Sequence, residues 1–130
     1  MYKDDTARIW CKNGYRHRDN DKPAYVGDNL TKWYSRGDIH RENDQPAVIY
    51  ANGDKAWYYN GQRHRKNDKP AVENADGTKK WYYNGQLHRE NDKPAIEWRD
   101  GTKEWYYNGV RHRENGKPTV TYPLERTNIE

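Results

Sequence analysis

Five histidines, at positions 17, 40, 64, 88 and 112, mark the chain at intervals of 23 residues once and then 24 residues three times. Each sits in the same local grammar. Trp81-Tyr82-Tyr83-Asn84-Gly85 leads to His88-Arg89 and then Pro94-Ala95. Trp57-Tyr58-Tyr59-Asn60-Gly61 leads to His64-Arg65 and Pro70-Ala71, and Trp105-Tyr106-Tyr107-Asn108-Gly109 leads to His112-Arg113 and Pro118. Looser copies begin at Trp10, with His17-Arg18 and Pro23-Ala24, and at Trp33, with His40-Arg41 and Pro46-Ala47. A unit this short cannot bury a core alone, so a fixed period in this range implies identical supersecondary units stacked on their neighbours. The 130 residues therefore form one repeat array over 1–130, with units starting near Trp10, Trp33, Trp57, Trp81 and Trp105 and a C-terminal cap over 118–130.

Each unit predicts strands and turns. In the copy after Pro70, Ala71–Ala75 is a short strand and Asp76-Gly77 a hairpin turn. Thr78–Tyr83 is the returning strand, rich in residues that suit a pleated surface. Asn84-Gly85 is a second turn of type I′, where both central residues need positive φ. Gln86–Arg89 continues briefly, Glu90–Lys93 forms a polar loop, and a proline closes it where a strand can start. Asn52-Gly53, Asn60-Gly61, Asp100-Gly101 and Asn108-Gly109 repeat the two turns. Toward the N-terminus the pattern loosens: Pro23 to Trp33 is one residue shorter than its counterparts, and Arg36-Gly37 replaces Asn-Gly. Alternation along a continuous strand would point Lys103, Trp105 and Tyr107 one way and Glu104 and Tyr106 the other. The expected fold is all-β, an elongated single-layer antiparallel sheet of about five tandem β-hairpin repeats. Two strands per unit advance it by about 9–10 Å per repeat. Such a layer should curl, dimerise or offer a face to a partner.

Composition first argues against order, because hydrophobic residues are 32% and charged residues 34% of the chain. Six Trp and twelve Tyr overrule this, since they recur in register and bury large areas while keeping a polar atom available. The core should be thin and aromatic. Net charge is +4, from 24 basic against 20 acidic residues, which permits an anionic partner without requiring one. One cysteine, Cys11, excludes an internal disulfide and makes a reducing compartment the expectation. Met1–Asp5 contains no apolar run of the kind a secretory signal needs, and no stretch reaches the roughly 20 apolar residues of a membrane span. A soluble, cytoplasmic protein is expected.

The pattern Trp-Tyr-Tyr-Asn-Gly-x-x-His-Arg, running from Trp10 to Pro118, resembles MORN repeats and more closely their variant, MORN-like form. The departure is consistent: Arg follows His in all five copies where the family usually has Gly, and Pro-Ala closes the loops of the first four. The resemblance implies an elongated array of β-hairpins with scaffolding, dimerising, membrane-contacting or protein-binding roles. It also implies a small accessory protein of the kind found in bacteria, phages and large viruses. In the phage case the location would be the host cytoplasm and the role inhibition or scaffolding of a host protein, an anti-defence inhibitor in its most specific form.

Each repeated side chain admits a structural and a functional reading. Histidines about 9–10 Å apart cannot share an ion held at about 2.0–2.1 Å, so a repeated hydrogen bond is expected and no metal or cofactor. An active site needs one constellation in one pocket, and near-copies spread along a rod do not supply it, so no catalytic residue is expected. The arginines after each histidine either pair with Asp21, Asp44, Asp68 and Asp92 and fix the loops, or form a ladder suited to phosphates and acidic surfaces. The Trp column reads as core. Trp98 falls on the incoming strand where Tyr50 and Asn74 stand in other copies, which makes it either a candidate interface anchor or an extension of the core. The candidate partner-binding set is Arg41, Arg65, Arg89, Arg113, Tyr58, Tyr82, Tyr106 and Trp98. The expected partner is another protein, with a homodimer as a further expectation. The alternative is an anion-binding module for nucleic acid or acidic lipid headgroups through the Arg/Tyr ladder.

Overall fold

The computed structural model describes residues 7–123; the expected cap beyond Pro123 lies outside them. The fold is all-β, with an open ten-stranded antiparallel sheet whose neighbours follow chain order. Each repeat contributes two strands to this sheet, such as Val72–Glu73 and Lys79–Lys80, and the strand Val120–Thr121 closes the far end against Lys103–Glu104. Beside the sheet runs a row of five two-stranded hairpins, one per repeat, of which Tyr82–Tyr83 with Gln86–Leu87 is typical.

The returning strand is therefore not continuous, contrary to the expectation for Thr78–Tyr83. It breaks at the tryptophan: Lys79–Lys80 belongs to the large sheet and Tyr82–Tyr83 to the hairpin row. The cause is visible in the backbone. Trp81 donates its N–H to the Ala95 carbonyl on one side, and its own carbonyl accepts the N–H of His88 on the other. The same pair of bonds recurs at Trp10, Trp33, Trp57 and Trp105, with Thr119 in place of the alanine at the last. One residue thus serves as the hinge between two sheets, and simple alternation cannot run through it.

The hairpin row is stitched by glycine. Gly37, Gly61, Gly85 and Gly109 donate their N–H to the carbonyls of Arg16, Ile39, Arg63 and Leu87 of the preceding repeat at 2.8–2.9 Å. These glycines close type I′ turns, with φ of 51° at Asn60 and 85° at Gly61. The turns of the large sheet differ from the two-residue type. Tyr50 N–H bonds the Asp54 carbonyl, leaving a three-residue loop in which only Gly53 has positive φ, as do Gly77 and Gly101 in their loops. Repeat one has a two-residue loop, Asp28-Asn29, bounded by the Gly27 N–H to Leu30 carbonyl bond. That missing residue is the physical source of the single 23-residue interval.

The core lies where the two rows meet. Val48, Ala56 and Val72 face one another across paired strands, and Ile39, Tyr58 and Tyr82 of the hairpins pack onto them. Ala24, Ala47, Ala71 and Ala95 are fully enclosed, which accounts for the Pro-Ala of the first four loops; Thr119 takes the place in the fifth. Trp57, Trp81 and Trp105 are buried, as the core reading of the Trp column requires, whereas Trp10 and Trp33 are half-buried.

The one non-Asn residue in the first turn position of the hairpin row is Arg36, at φ 52°. A left-handed conformation costs a bulky residue about 1–2 kcal/mol, and asparagine much of that less. Arg36→Asn is expected to raise stability by about 1 kcal/mol and the thermal midpoint by a few degrees, measured by calorimetry.

Candidate binding surfaces

The arginine after each histidine is the most heavily committed side chain in the molecule. Each guanidinium lies flat on the indole of its own repeat, with centroid distances of 3.7–3.8 Å from Arg18 on Trp10 to Arg113 on Trp105. Its Nη1 donates to the proline carbonyl that closes the same loop, as in Arg65 to Pro70 at 3.0 Å. From the second repeat on, its outer edge grips an aspartate of the preceding repeat: Arg89 donates Nε to Asp68 Oδ1 at 2.9 Å and Nη2 to Oδ2 at 3.3 Å. Arg41 with Asp21, Arg65 with Asp44 and Arg113 with Asp92 repeat this fork. Lys69, Lys93 and Lys117 add a second cation to the same carboxylates, and Arg65 and Arg89 also reach Glu73 and Glu97.

The aspartates are placed by backbone shape. In each of the first four loops an Asn-Asp pair takes two successive left-handed conformations, such as Asn67 at φ 65° and Asp68 at φ 56°. This turns the carboxylate toward the arginine and the Asp68 carbonyl toward the indole N–H of Trp81, 3.0 Å away. The arginine hydrogen bond is the main cause that holds Asp21, Asp44, Asp68 and Asp92 below the usual carboxylate value. Stability from these joints is complete above the ordinary carboxylate range and is lost as pH falls through the lowered folded values.

The histidines form a second joint. His40, His64 and His88 each accept the backbone N–H of Asn60, Asn84 and Asn108 on Nδ1 at 2.9–3.0 Å, and His17 takes that of Arg36. A backbone N–H can only donate, so Nδ1 is unprotonated and Nε2 carries the proton. Nε2 then donates to the carboxylate two residues on: Asp19, Glu42, Glu90 and Glu114 for His17, His40, His88 and His112. His64 has Lys66 there, and burial together with that charge lowers its pKa. Its contribution to stability is complete above the ordinary imidazole value and is lost as pH falls below it. Among the described residues no three His, Cys, Asp or Glu side chains converge where they could hold a metal ion.

Of the candidate partner-binding residues, the structure leaves few open. Arg41, Arg65, Arg89 and Arg113 are only 12–15% exposed; pairing with a loop aspartate was one of the two readings of their pattern, and the aspartate is that of the preceding repeat. Tyr58, Tyr82 and Tyr106 are half-buried; the Arg63 guanidinium bonds the Tyr58 hydroxyl and covers the Tyr82 ring, and Arg111 bonds the Tyr106 hydroxyl. Trp98 remains 38% exposed. Its indole N–H donates to Glu104 at 2.7 Å, the same carboxylate accepts from Tyr106 and Arg111, and Lys80 lies 5.1 Å above the ring.

The open aromatic surface is instead built by the second tyrosine of each Trp-Tyr-Tyr. Tyr59, Tyr83 and Tyr107 are 43%, 54% and 44% exposed. They alternate with histidines in one ribbon, His40, Tyr59, His64, Tyr83, His88, Tyr107 and His112, with ring centroids 4.4–6.3 Å apart. Repeats one and two have Lys12 and Ser35 at this position, so the ribbon covers the C-terminal three units. The signal was present in the spacing, but the assumption of an unbroken strand placed these rings with the tryptophans. Lys55, Lys79 and Lys103 line another exposed row, where Glu73 and Glu97 stand between them in the strand register.

Two measurements test this wiring. Arg89→Lys keeps the charge but loses the fork and the flat stack, and is expected to cost about 1–2 kcal/mol in chemical denaturation. In an NMR titration His64 should ionise below the ordinary imidazole value, and Lys66→Glu should move that value up.

Comparison of the chain with family models, with curated proteins and with solved structures returns no match.

Proposed function

We propose that the chain is a divergent MORN-like array acting as a non-catalytic protein-binding module, and that the Tyr59/Tyr83/Tyr107 ribbon is its principal contact surface. The observation that carries this reading is a row of three half-exposed tyrosines whose ring positions are set by histidines, which are themselves locked by two hydrogen bonds each at His40 and His88. Tyrosine rings fixed in this way lose little side-chain entropy on binding and present both apolar area and a hydroxyl, the combination that dominates protein interfaces. Trp98, 38% exposed, would supply a second anchor. In an accessory protein such a surface would inhibit or scaffold a host protein.

The alternative, an anion binder working through the arginine ladder, finds less support. The guanidinium edges that would meet phosphates are engaged with Asp21, Asp44, Asp68 and Asp92. The lysine row is interrupted by glutamates in register.

The test is a tagged pull-down from native lysate, with and without nuclease, comparing the unaltered chain with a variant carrying Tyr59→Ser, Tyr83→Ser and Tyr107→Ser. A stoichiometric protein partner that survives nuclease and is lost with the triple variant, while circular dichroism and unfolding stay unchanged, is the expected result. Undiminished capture by the triple variant would refute the ribbon, and loss of all partners on nuclease treatment would favour the anion reading.

A further inference from the structure

The histidine joint is built alike in four repeats and differently in one. At His17, His40, His64 and His88, Nδ1 accepts a backbone N–H of the next repeat, so Nε2 carries the proton. In four repeats Nε2 meets a carboxylate two residues on. His17 reaches Asp19 at 2.7 Å, His40 Glu42 at 2.5 Å, His88 Glu90 at 2.6 Å and His112 Glu114 at 3.3 Å.

Repeat three breaks the rule. Lys66 stands at that position, and among the described residues nothing accepts the Nε2 proton of His64 or pairs with the Lys66 ammonium. His64 Nδ1 still accepts the Asn84 N–H at 3.0 Å, so the ring is anchored as in the other copies. An ammonium in place of a carboxylate reverses the local charge.

The surroundings give this pair a shape. Half-buried His64 lies between the exposed rings of Tyr59 and Tyr83, with centroids 6.3 and 4.7 Å away. Tyr59, His64 and Lys66 are among the residues lining a groove of about 430 Å³. The other charges along it are already matched. Glu42 accepts from His40, Asp44 holds Arg65 and Lys69, and Arg41 is held by Asp21. One ammonium and one N–H donor beside it are left over.

We propose that this groove is a binding site for the side-chain carboxylate of an aspartate or glutamate on the partner protein. One carboxylate oxygen would accept the His64 Nε2–H, where the other repeats place a carboxylate of their own, and Lys66 would supply the counter-charge. Flanking residues of the partner would lie on Tyr59 and Tyr83. The precedent is internal: the same imidazole nitrogen meets a carboxylate oxygen at 2.5–2.7 Å at His17, His40 and His88. An ionised acceptor makes such a hydrogen bond roughly twice as strong as a neutral one. The proposal rests on the tyrosine ribbon as contact surface and adds a charge requirement to it. The partner must bring its acid to repeat three, because Glu90 and Glu114 already fill the place in repeats four and five.

The test has two arms. In the first, NMR follows the imidazole rings of the full chain during titration with the blocked tripeptide Leu-Glu-Leu, its Leu-Gln-Leu twin and inorganic phosphate. The glutamate peptide should shift His64 saturably, with half-saturation on the order of millimolar, and leave His88 unmoved. The response should weaken as salt rises, and the glutamine twin should bind several-fold more weakly. Lys66→Gln should weaken binding several-fold, and Lys66→Glu, which restores the carboxylate of the other copies, should abolish it. In the second arm, Lys66→Glu should lose most partner capture in the pull-down. No saturable shift of His64, an equal response to the glutamine twin, an undiminished response in Lys66→Glu, or a response to phosphate alone would each overturn the proposal. Capture kept by Lys66→Glu but lost by the triple tyrosine variant would also overturn it and leave the ribbon standing. A His64-specific peptide response with full capture by the triple tyrosine variant would uphold the carboxylate site and refute the ribbon.

Discussion

The interaction on which the array depends is the guanidinium laid flat on an indole. A single layer of two-residue and three-residue strands has little aliphatic area to bury, and the enclosed aliphatic side chains are few and small, Val48, Ala56 and Val72 at the centre. The arginine makes up the deficit by acting in three directions. It covers the tryptophan of its own unit, closes its own loop through the proline carbonyl, and reaches back to the aspartate of the unit before. Lysine has neither the plane to stack nor the fork to grip a carboxylate, so only arginine can fill the role. Because each clamp joins two repeats, stability is shared between nearest neighbours along the rod.

The hinge at each tryptophan decides which side chains are available to anything else. Breaking the strand there sends Lys80 into one sheet and Tyr82 into another. The first tyrosine then falls on the core side, beneath Arg63 or Arg111, and the second is left outside beside the histidines. The three residues Trp-Tyr-Tyr are thus divided among crease, core and surface. The exposed tyrosines are positioned by backbone-anchored histidines, which gives the surface a rigidity that loops of this length rarely have.

Charge follows the same logic. The net charge of +4 suggests a basic surface, yet much of the positive charge is spent inside joints on aspartates whose pKa values fall in response. A lysine row on the large sheet is diluted by glutamates in register. The fifth loop differs chemically, because Gly116 stands where the other four carry an aspartate.

Much of this was legible in the residues. The period, the five units, the Asn-Gly turns with positive φ at Asn60 and Asn84, the two strands per unit and the burial of Trp57, Trp81 and Trp105 all follow from local rules of turn chemistry and β propensity. The pairing of Arg41, Arg65, Arg89 and Arg113 with aspartates was one of two readings that spacing allowed. The sequence by itself determined that these units must stack, because none of them can bury its aromatics alone. Only the tertiary structure decided where each strand breaks, which tyrosine faces out and which aspartate each arginine grips. Those depend on hydrogen bonds between Trp81, Ala95 and His88 and between successive repeats, which no alternation rule within one strand contains.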